Sequence, residues 1–147
     1  MSLENDVRNL GRTRPFDLLP RDALQLIAFS CARKTLRAGE TLFSEGDRAD
    51  AAYFVVSGAI ALAAHGVERR AEAGALIGAT ALIANLPRRA SARAAEESVA
   101  LRVPAEAFRR VLAEFPQAAA KIRVAVAARA RDFLDRLEDV RAREFEG

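Results

Sequence analysis

The segment LIGATALIANLPRRASARA, residues 76–94, decides how the chain is read. Leu76 and Ile77 run into Gly78, a stretch of small helix-favouring residues follows, and Pro87-Arg88-Arg89 then leads into a strand-like tail. A connection that only joins two strands needs about two to five residues. This one is far longer and closes on two cations. Gly78 has no Cβ, so its backbone can approach a bound group closely. Ala79 to Asn85 is expected to form about two helical turns, whose leading amides and dipole favour an anion. Pro87 stiffens the exit, and the planar fork of Arg88 suits two phosphate oxygens. The alternative reading is a helical turn on a rim, with Arg88 in solvent. Arginine supplies 21 of the 23 basic residues, so Arg88 is informative only through this context.

Working outward, the texture from Thr35 to Pro104 is that of short strands. Ala52–Val56, Ile60–Ala64 and Val99–Val103 are apolar runs separated by turns at Gly39, Gly46, Gly58, Gly66 and Gly74. Turn signals at about every 8 to 12 residues point to a small antiparallel barrel or sandwich. On the N-terminal side, Pro20-Arg21-Asp22 opens a segment with Leu24, Ile27, Ala28 and Cys31 at helical spacing, expected to end near Lys34. After Pro104 the helical period returns. Phe108, Val111, Leu112 and Phe115 share a face, Pro116 interrupts, and a long helix is expected to reach about Arg143. Its residues Ala119, Val126, Ala130, Phe133, Leu137 and Val140 fit a heptad seam flawed by Arg123. That seam would either pack on the chain's own barrel or form a parallel homodimer.

Composition limits the function classes. The 147 residues suit one domain. No apolar run approaches the roughly 18 to 20 residues that would span a bilayer, and no secretory signal opens the chain. Met1-Ser2-Leu3 and Glu146-Gly147 look like residues left by a cloning vector and are set aside in reading the fold, with the length of the natural protein left open. One cysteine, Cys31, and one histidine, His65, argue against disulfides, structural zinc, iron–sulfur clusters and histidine-based catalysis. A net charge of +3, with acids and bases interleaved, gives no nucleic-acid stripe. A cytoplasmic protein of the α+β class, one domain over residues 4–145, is the expectation.

Several spaced motifs then resemble the cyclic-nucleotide-binding domain family. Gly39-Glu40-Thr41-Leu42-Phe43-Ser44-Glu45-Gly46-Asp47, followed by Tyr53-Phe54-Val55-Val56-Ser57-Gly58, is similar to the family's front half. Gly74-Ala75-Leu76-Ile77-Gly78, Ala81-Leu82-Ile83 and Pro87-Arg88-Arg89-Ala90-Ser91-Ala92 resemble its phosphate-binding cassette. Phe108 to Pro116 and the helix after it resemble its lid helices. The resemblance covers about residues 14 to 142. It implies a jelly-roll-like barrel over about 35–103, with an N-terminal helix before it and long C-terminal helices over about 104–143.

The resemblance also implies a site. Arg88 would pair with the cyclic phosphate, the backbone of Gly78, Ala79, Thr80 and Ala81 would reach phosphate and ribose, and Ala90 and Ser91 would be the small positions beyond. Ala79 departs from the family, which usually places there a glutamate that accepts the ribose 2′-hydroxyl. Leaving a buried hydroxyl unpaired costs about 1–3 kcal/mol. Arg89 also departs, standing where a small residue is usual.

Three functions follow as expectations. The first is a regulatory module that binds a cyclic nucleotide, cyclic AMP or cyclic GMP, and transmits closure of its C-terminal helices to a partner; a homodimer through the C-terminal helix is a separate option. The second is a degenerate cassette serving as a dimerisation or docking domain, or sensing another small anion. The third is the sensor part of a Crp-Fnr-type transcription regulator. Only a few residues follow Val140, so this chain is not expected to bind nucleic acid directly.

Catalysis is not expected. Glu96 and Glu97 are adjacent and would point apart on a strand, so they read as a solvated turn. Asp47 reads as a turn residue satisfying backbone amides. His65-Gly66 reads as a hairpin tip, and Cys31 as part of a helix's apolar face. No metal and no cofactor other than the sensed ligand is implied.

Overall fold

The computed structural model describes residues 3–128 and 131. Eight strands form two four-stranded antiparallel sheets, so the expected barrel is two facing sheets rather than a closed cylinder. The strands are β1 (Ala32–Leu36), β2 (Thr41–Phe43), β3 (Ala51–Ser57), β4 (Ala59–Ala64), β5 (Val67–Glu72), β6 (Leu76–Ile77), β7 (Ser91–Ala94) and β8 (Ser98–Pro104). One sheet has the order β1-β8-β3-β6 and the other β2-β7-β4-β5.

Side-chain alternation places two cores. In β3, Ala51, Tyr53 and Val55 point between the sheets, where they meet Leu36, Ile60, Leu62, Ile77, Ala92 and Ala100. Ala52 and Phe54 point the other way, into a second cluster with Leu101, Val103 and the helices. A strand period of two, apolar on both faces, is what a central strand between two layers requires. The opposite sheet is covered on one face only. Its outer surface carries exposed pairs such as Arg93–Glu68 at 3.1 Å and Arg70–Glu72 at 2.9 Å, each worth about 0–1 kcal/mol.

The helical layer is α1 (Leu3–Gly11), α2 (Arg21–Ser30), α3 (Ala105–Ala113) and a helix over residues 116–128, here α4. α1 corrects the sequence reading, which set Leu3 aside as a vector remnant and began the helical layer at Pro20. Val7 and Leu10 of α1 are buried in the helical core. α2 starts after Pro20 as expected but ends at Ser30, four residues early, and Ala32–Leu36 pairs with β8 as an edge strand. Only Leu36 of that strand is buried, so its polar residues gave no strand alternation to read. Phe16 and Phe108 meet edge-to-face at 5.7 Å and lock the N-terminal turn onto α3.

The face Phe108, Val111 and Leu112 is buried as expected, and Phe115 packs beside it. Of the heptad seam, Ala119 and Val126 pack with Ile122 into the chain's own helical core. Ala130, Phe133, Leu137 and Val140 lie outside the described residues. The turn at His65-Gly66 is the expected hairpin tip, with both residues at positive φ, as a two-residue connection between twisted strands demands.

Candidate functional site

Between β6 and β7 the chain makes a single 3-10 turn, Ala79–Leu82, rather than two turns of helix. Gly78 starts it in the left-handed conformation, φ 70°. Its missing Cβ makes room for a side chain of the protein itself: a Cβ there would lie 2.5 Å from Nη1 of Arg88.

Arg88 is the centre of the site. Its backbone is clamped from both sides, its N–H donating to Asp47 O at 2.7 Å and its carbonyl accepting from Gly46 N at 2.8 Å. The Gly46-Asp47 turn that does this is itself closed by Asp47, whose Oδ2 accepts the Ser44 amide at 2.9 Å. The motif in the front half of the chain therefore positions the arginine in the back half. Arg88 as a whole is only 7% exposed. Nη2 donates to Ala51 O at 2.7 Å, and Cζ lies 4.1 Å above the Phe43 ring and 5.8 Å from that of Tyr53.

What Arg88 lacks, among the described residues, is an ion-pair partner. Its Nε is buried without a hydrogen-bond partner among them. Burial pushes its pKa below the usual arginine value, with Tyr53, Asp50 and Asp47 partly offsetting this. Asp50 is turned toward Arg102, at 3.3 Å.

In front of Arg88 opens a cavity of about 610 Å³. Gly78, Ala79, Thr80, Ala81, Arg88, Arg89 and Ala90 all line it, so one cavity gathers seven of the eight residues singled out in the sequence. The eighth, Ser91, does not line it. Its Oγ accepts the Glu45 amide at 2.8 Å and ties the tail of the cassette to the β2–β3 loop. Apolar walls come from Leu62, Leu76, Ile77 and Ile83, and the mouth holds exposed Arg89 and Arg131 beside Ala127 of α4. Ala79 is buried, and the amide of Ala81 is committed to Gly78 O at 3.0 Å. That leaves Ala79 and Thr80 as the leading amides of the turn.

Residues the sequence reading gave no role complete the arrangement. Phe43 and Tyr53 supply the aromatic bed, and Ala51 a carbonyl. Arg109 of α3 donates to Ala81 O at 2.9 Å and Leu82 O at 3.3 Å, joining the cassette to the helices. With arginine at one position in seven, nothing distinguished Arg109 beforehand.

The remaining candidates stay apart from the cavity. Glu96 and Glu97 sit in an exposed turn. Cys31 follows α2, its thiol bonded to Ile27 O at 3.3 Å and pushed up to about 12 by burial and by Asp6, which makes it a poor nucleophile. Among the described residues no group of His, Cys, Asp and Glu could hold a metal ion, and no helix is long and apolar enough to cross a membrane.

Comparison with known proteins matches a family model, the cyclic nucleotide-binding domain, to residues 33–115. A cyclic nucleotide-binding-like protein from Brucella abortus is 40% identical and superposes with a TM-score of 0.67, over 74% of this chain and 97% of that one. The N-terminal domain of a transcriptional regulator from Streptomyces coelicolor is 30% identical with a TM-score of 0.70, over 88% of this chain and 94% of that one. Lysophospholipase nte1 of Neurospora crassa is 31% identical over 125 residues, which is 81% of this chain. The chain spans only 8% of that protein's length.

Proposed function

Since the chain belongs to the cyclic nucleotide-binding domain family, we propose that it is a regulatory ligand-sensing module in which Arg88 takes the phosphate of a cyclic nucleotide, cyclic AMP or cyclic GMP. The observation that carries this reading is the buried Arg88, which has neither a hydrogen-bond partner at Nε nor an ion pair among the described residues. A buried charge is costly unless paired, and a bound phosphate would supply both the charge and the acceptor. Gly78 leaves room for the guanidinium, the amides of Ala79 and Thr80 face no intrahelical acceptor of their own, and Ala81 and Ala90 keep the floor of the cavity small. Ser91 and Asp47 act by holding the loop that clamps Arg88.

Transmission has a physical route. Arg109 ties the cassette carbonyls to α3, and Ala127 and Arg131 bring α4 to the cavity mouth. A ligand touching cassette and α4 together favours helix positions in which both contacts form, which shifts their population. The same module as the sensor part of a transcription regulator fits the 30% identity to the Streptomyces coelicolor domain.

Calorimetric titration of cyclic AMP and cyclic GMP tests the reading. Micromolar binding, abolished by Arg88→Ala, is expected; no heat up to millimolar nucleotide would overturn it. A second reading is favoured by Ala79, which is buried and apolar where a ribose acid is usual in the family. In that reading the cassette no longer takes a cyclic nucleotide and the domain serves in docking or dimerisation. Absence of heat together with a sedimentation-defined dimer would select it.

A further inference from the structure

The side chains lining the cavity are unusual in what they omit. Among the described lining residues there is no carboxylate and no amide; Thr80 has the one neutral polar side chain, and the charged groups are Arg69, Arg88, Arg89 and Arg131. Arg88 is buried at the back, and Arg89 and Arg131 are exposed at the mouth. Among the described residues, the two acids whose charges reach Arg88 do not line the cavity: Asp47 is on the Ser44 amide and Asp50 on Arg102.

Several carbonyls of the cassette turn are already engaged. Gly78 O already takes the Ala81 amide, and Thr80 O takes those of Ile83 and Ala84. The carbonyls of Ala81 and Leu82 take Arg109. Among the described lining residues, the Thr80 hydroxyl is the one side-chain acceptor that a ribose hydroxyl would meet. The site is rich in cationic donors, poor in side-chain acceptors and otherwise apolar.

A cyclic phosphodiester carries one negative charge and brings a ribose 2′-hydroxyl. A phosphate monoester carries nearly two charges at neutral pH and one more anionic oxygen. Resting on the reading of this cavity as the sensor's ligand site, we infer that its preferred ligand class is a dianionic phosphate monoester on an apolar or aromatic body, bound without use of a ribose hydroxyl. Arg88 holds the phosphate at the back, and Arg89 and Arg131 meet the second charge from the mouth. The walls of Leu62, Leu76 and Ile83 take the body, for which about 610 Å³ leaves ample room.

Four probes separate charge from hydroxyl: cyclic AMP, its 2′-deoxy form, adenosine 5′-monophosphate and its 2′-deoxy form. Their affinities are measured by calorimetry on the wild-type chain and on Arg88→Ala, Arg89→Ala and Arg131→Ala. The expected result is that the 5′-monophosphates bind about three- to tenfold tighter than the cyclic forms. That is the scale of two exposed charge contacts, and the advantage narrows as salt is raised. Loss of the 2′-hydroxyl does not weaken binding and tightens it, by about fivefold or more where the hydroxyl is buried, since an unpaired buried hydroxyl is costly. Arg89→Ala and Arg131→Ala, both at exposed positions, shrink the charge preference, while Arg88→Ala weakens all four probes.

Cyclic forms that bind as well as or better than the monophosphates overturn the inference and leave the sensor reading standing. So does a large loss on removing the 2′-hydroxyl. No binding of any probe at millimolar concentration, or binding that Arg88→Ala leaves unchanged, overturns both.

Discussion

The back wall of the cavity and its mouth are built by opposite means. At the back, Arg88 is held at its amide, its carbonyl, its Nη2 and its guanidinium face, by Asp47, Gly46, Ala51 and Phe43 in turn. At the mouth, Arg89 and Arg131 are exposed, and neither has an ion pair among the described residues. The back is therefore organised before any ligand arrives, which spares the ligand the cost of ordering it. The mouth can adapt. The contrast suggests that whether an anion binds is decided at Arg88, and which anion binds is decided by what meets it further out.

Substitutions should divide along the same line, with the largest effects at the back. Gly78→Ala puts a Cβ at φ 70°, where L-residues are strained by about 1–2 kcal/mol, and drives it against Arg88 Nη1. Urea denaturation should show a loss of about 2 kcal/mol or more, together with loss of anion binding. A well-tolerated Gly78→Ala would mean that the back wall is not the rigid half.

Asp47→Ala comes next. It removes the acceptor of the Ser44 amide and loosens the turn that clamps Arg88. A stability loss of about 1–2 kcal/mol is expected by the same denaturation assay, with weakened anion affinity although Asp47 does not line the cavity.

Arg88→Met should be smaller in stability and decisive in binding. It removes a buried charge that has no ion-pair partner among the described residues and keeps most of the side chain's bulk. Stability of the ligand-free chain should stay within about 1 kcal/mol of wild type or rise, because the desolvation cost disappears, while anion binding is lost. A loss of several kcal/mol without ligand would show that Arg88 is a structural residue instead. The smallest effect belongs to the mouth: Arg89→Ala should leave the unfolding free energy within about 0.5 kcal/mol.

The same two regions show what the sequence makes legible. Local chemistry was readable: Gly78 as a break, Pro87-Arg88 as an exit carrying a cation, His65-Gly66 as a hairpin tip, Asp47 as an acceptor of turn amides. These depend on residues adjacent in the chain. The environment of Arg88 was not readable, because its partners come from positions 43, 46, 47, 51 and 53, brought together only by sheet pairing. The expected two turns after Gly78 shrank to one because Leu82, fully buried, is drawn into the helical core and the chain turns with it. Gly78 was read as an approach route for a ligand, and the neighbour it admits is Arg88 itself. α1 escaped notice for a different reason: its buried residues Val7 and Leu10 are two among polar neighbours, too few to outweigh a terminus that looked foreign.

The most direct test follows the Arg88 Nε–H resonance by nuclear magnetic resonance, assigned through Arg88→Met, while cyclic AMP and then 2′-deoxyadenosine 5′-monophosphate are added. Because that Nε is buried and has no hydrogen-bond partner among the described residues, an anion seated on the guanidinium must change its surroundings. A saturable shift, with the same midpoint as calorimetry, is the predicted result. A resonance that stays fixed while ligand binds, or through millimolar ligand, would contradict Arg88 as the anchor of the site.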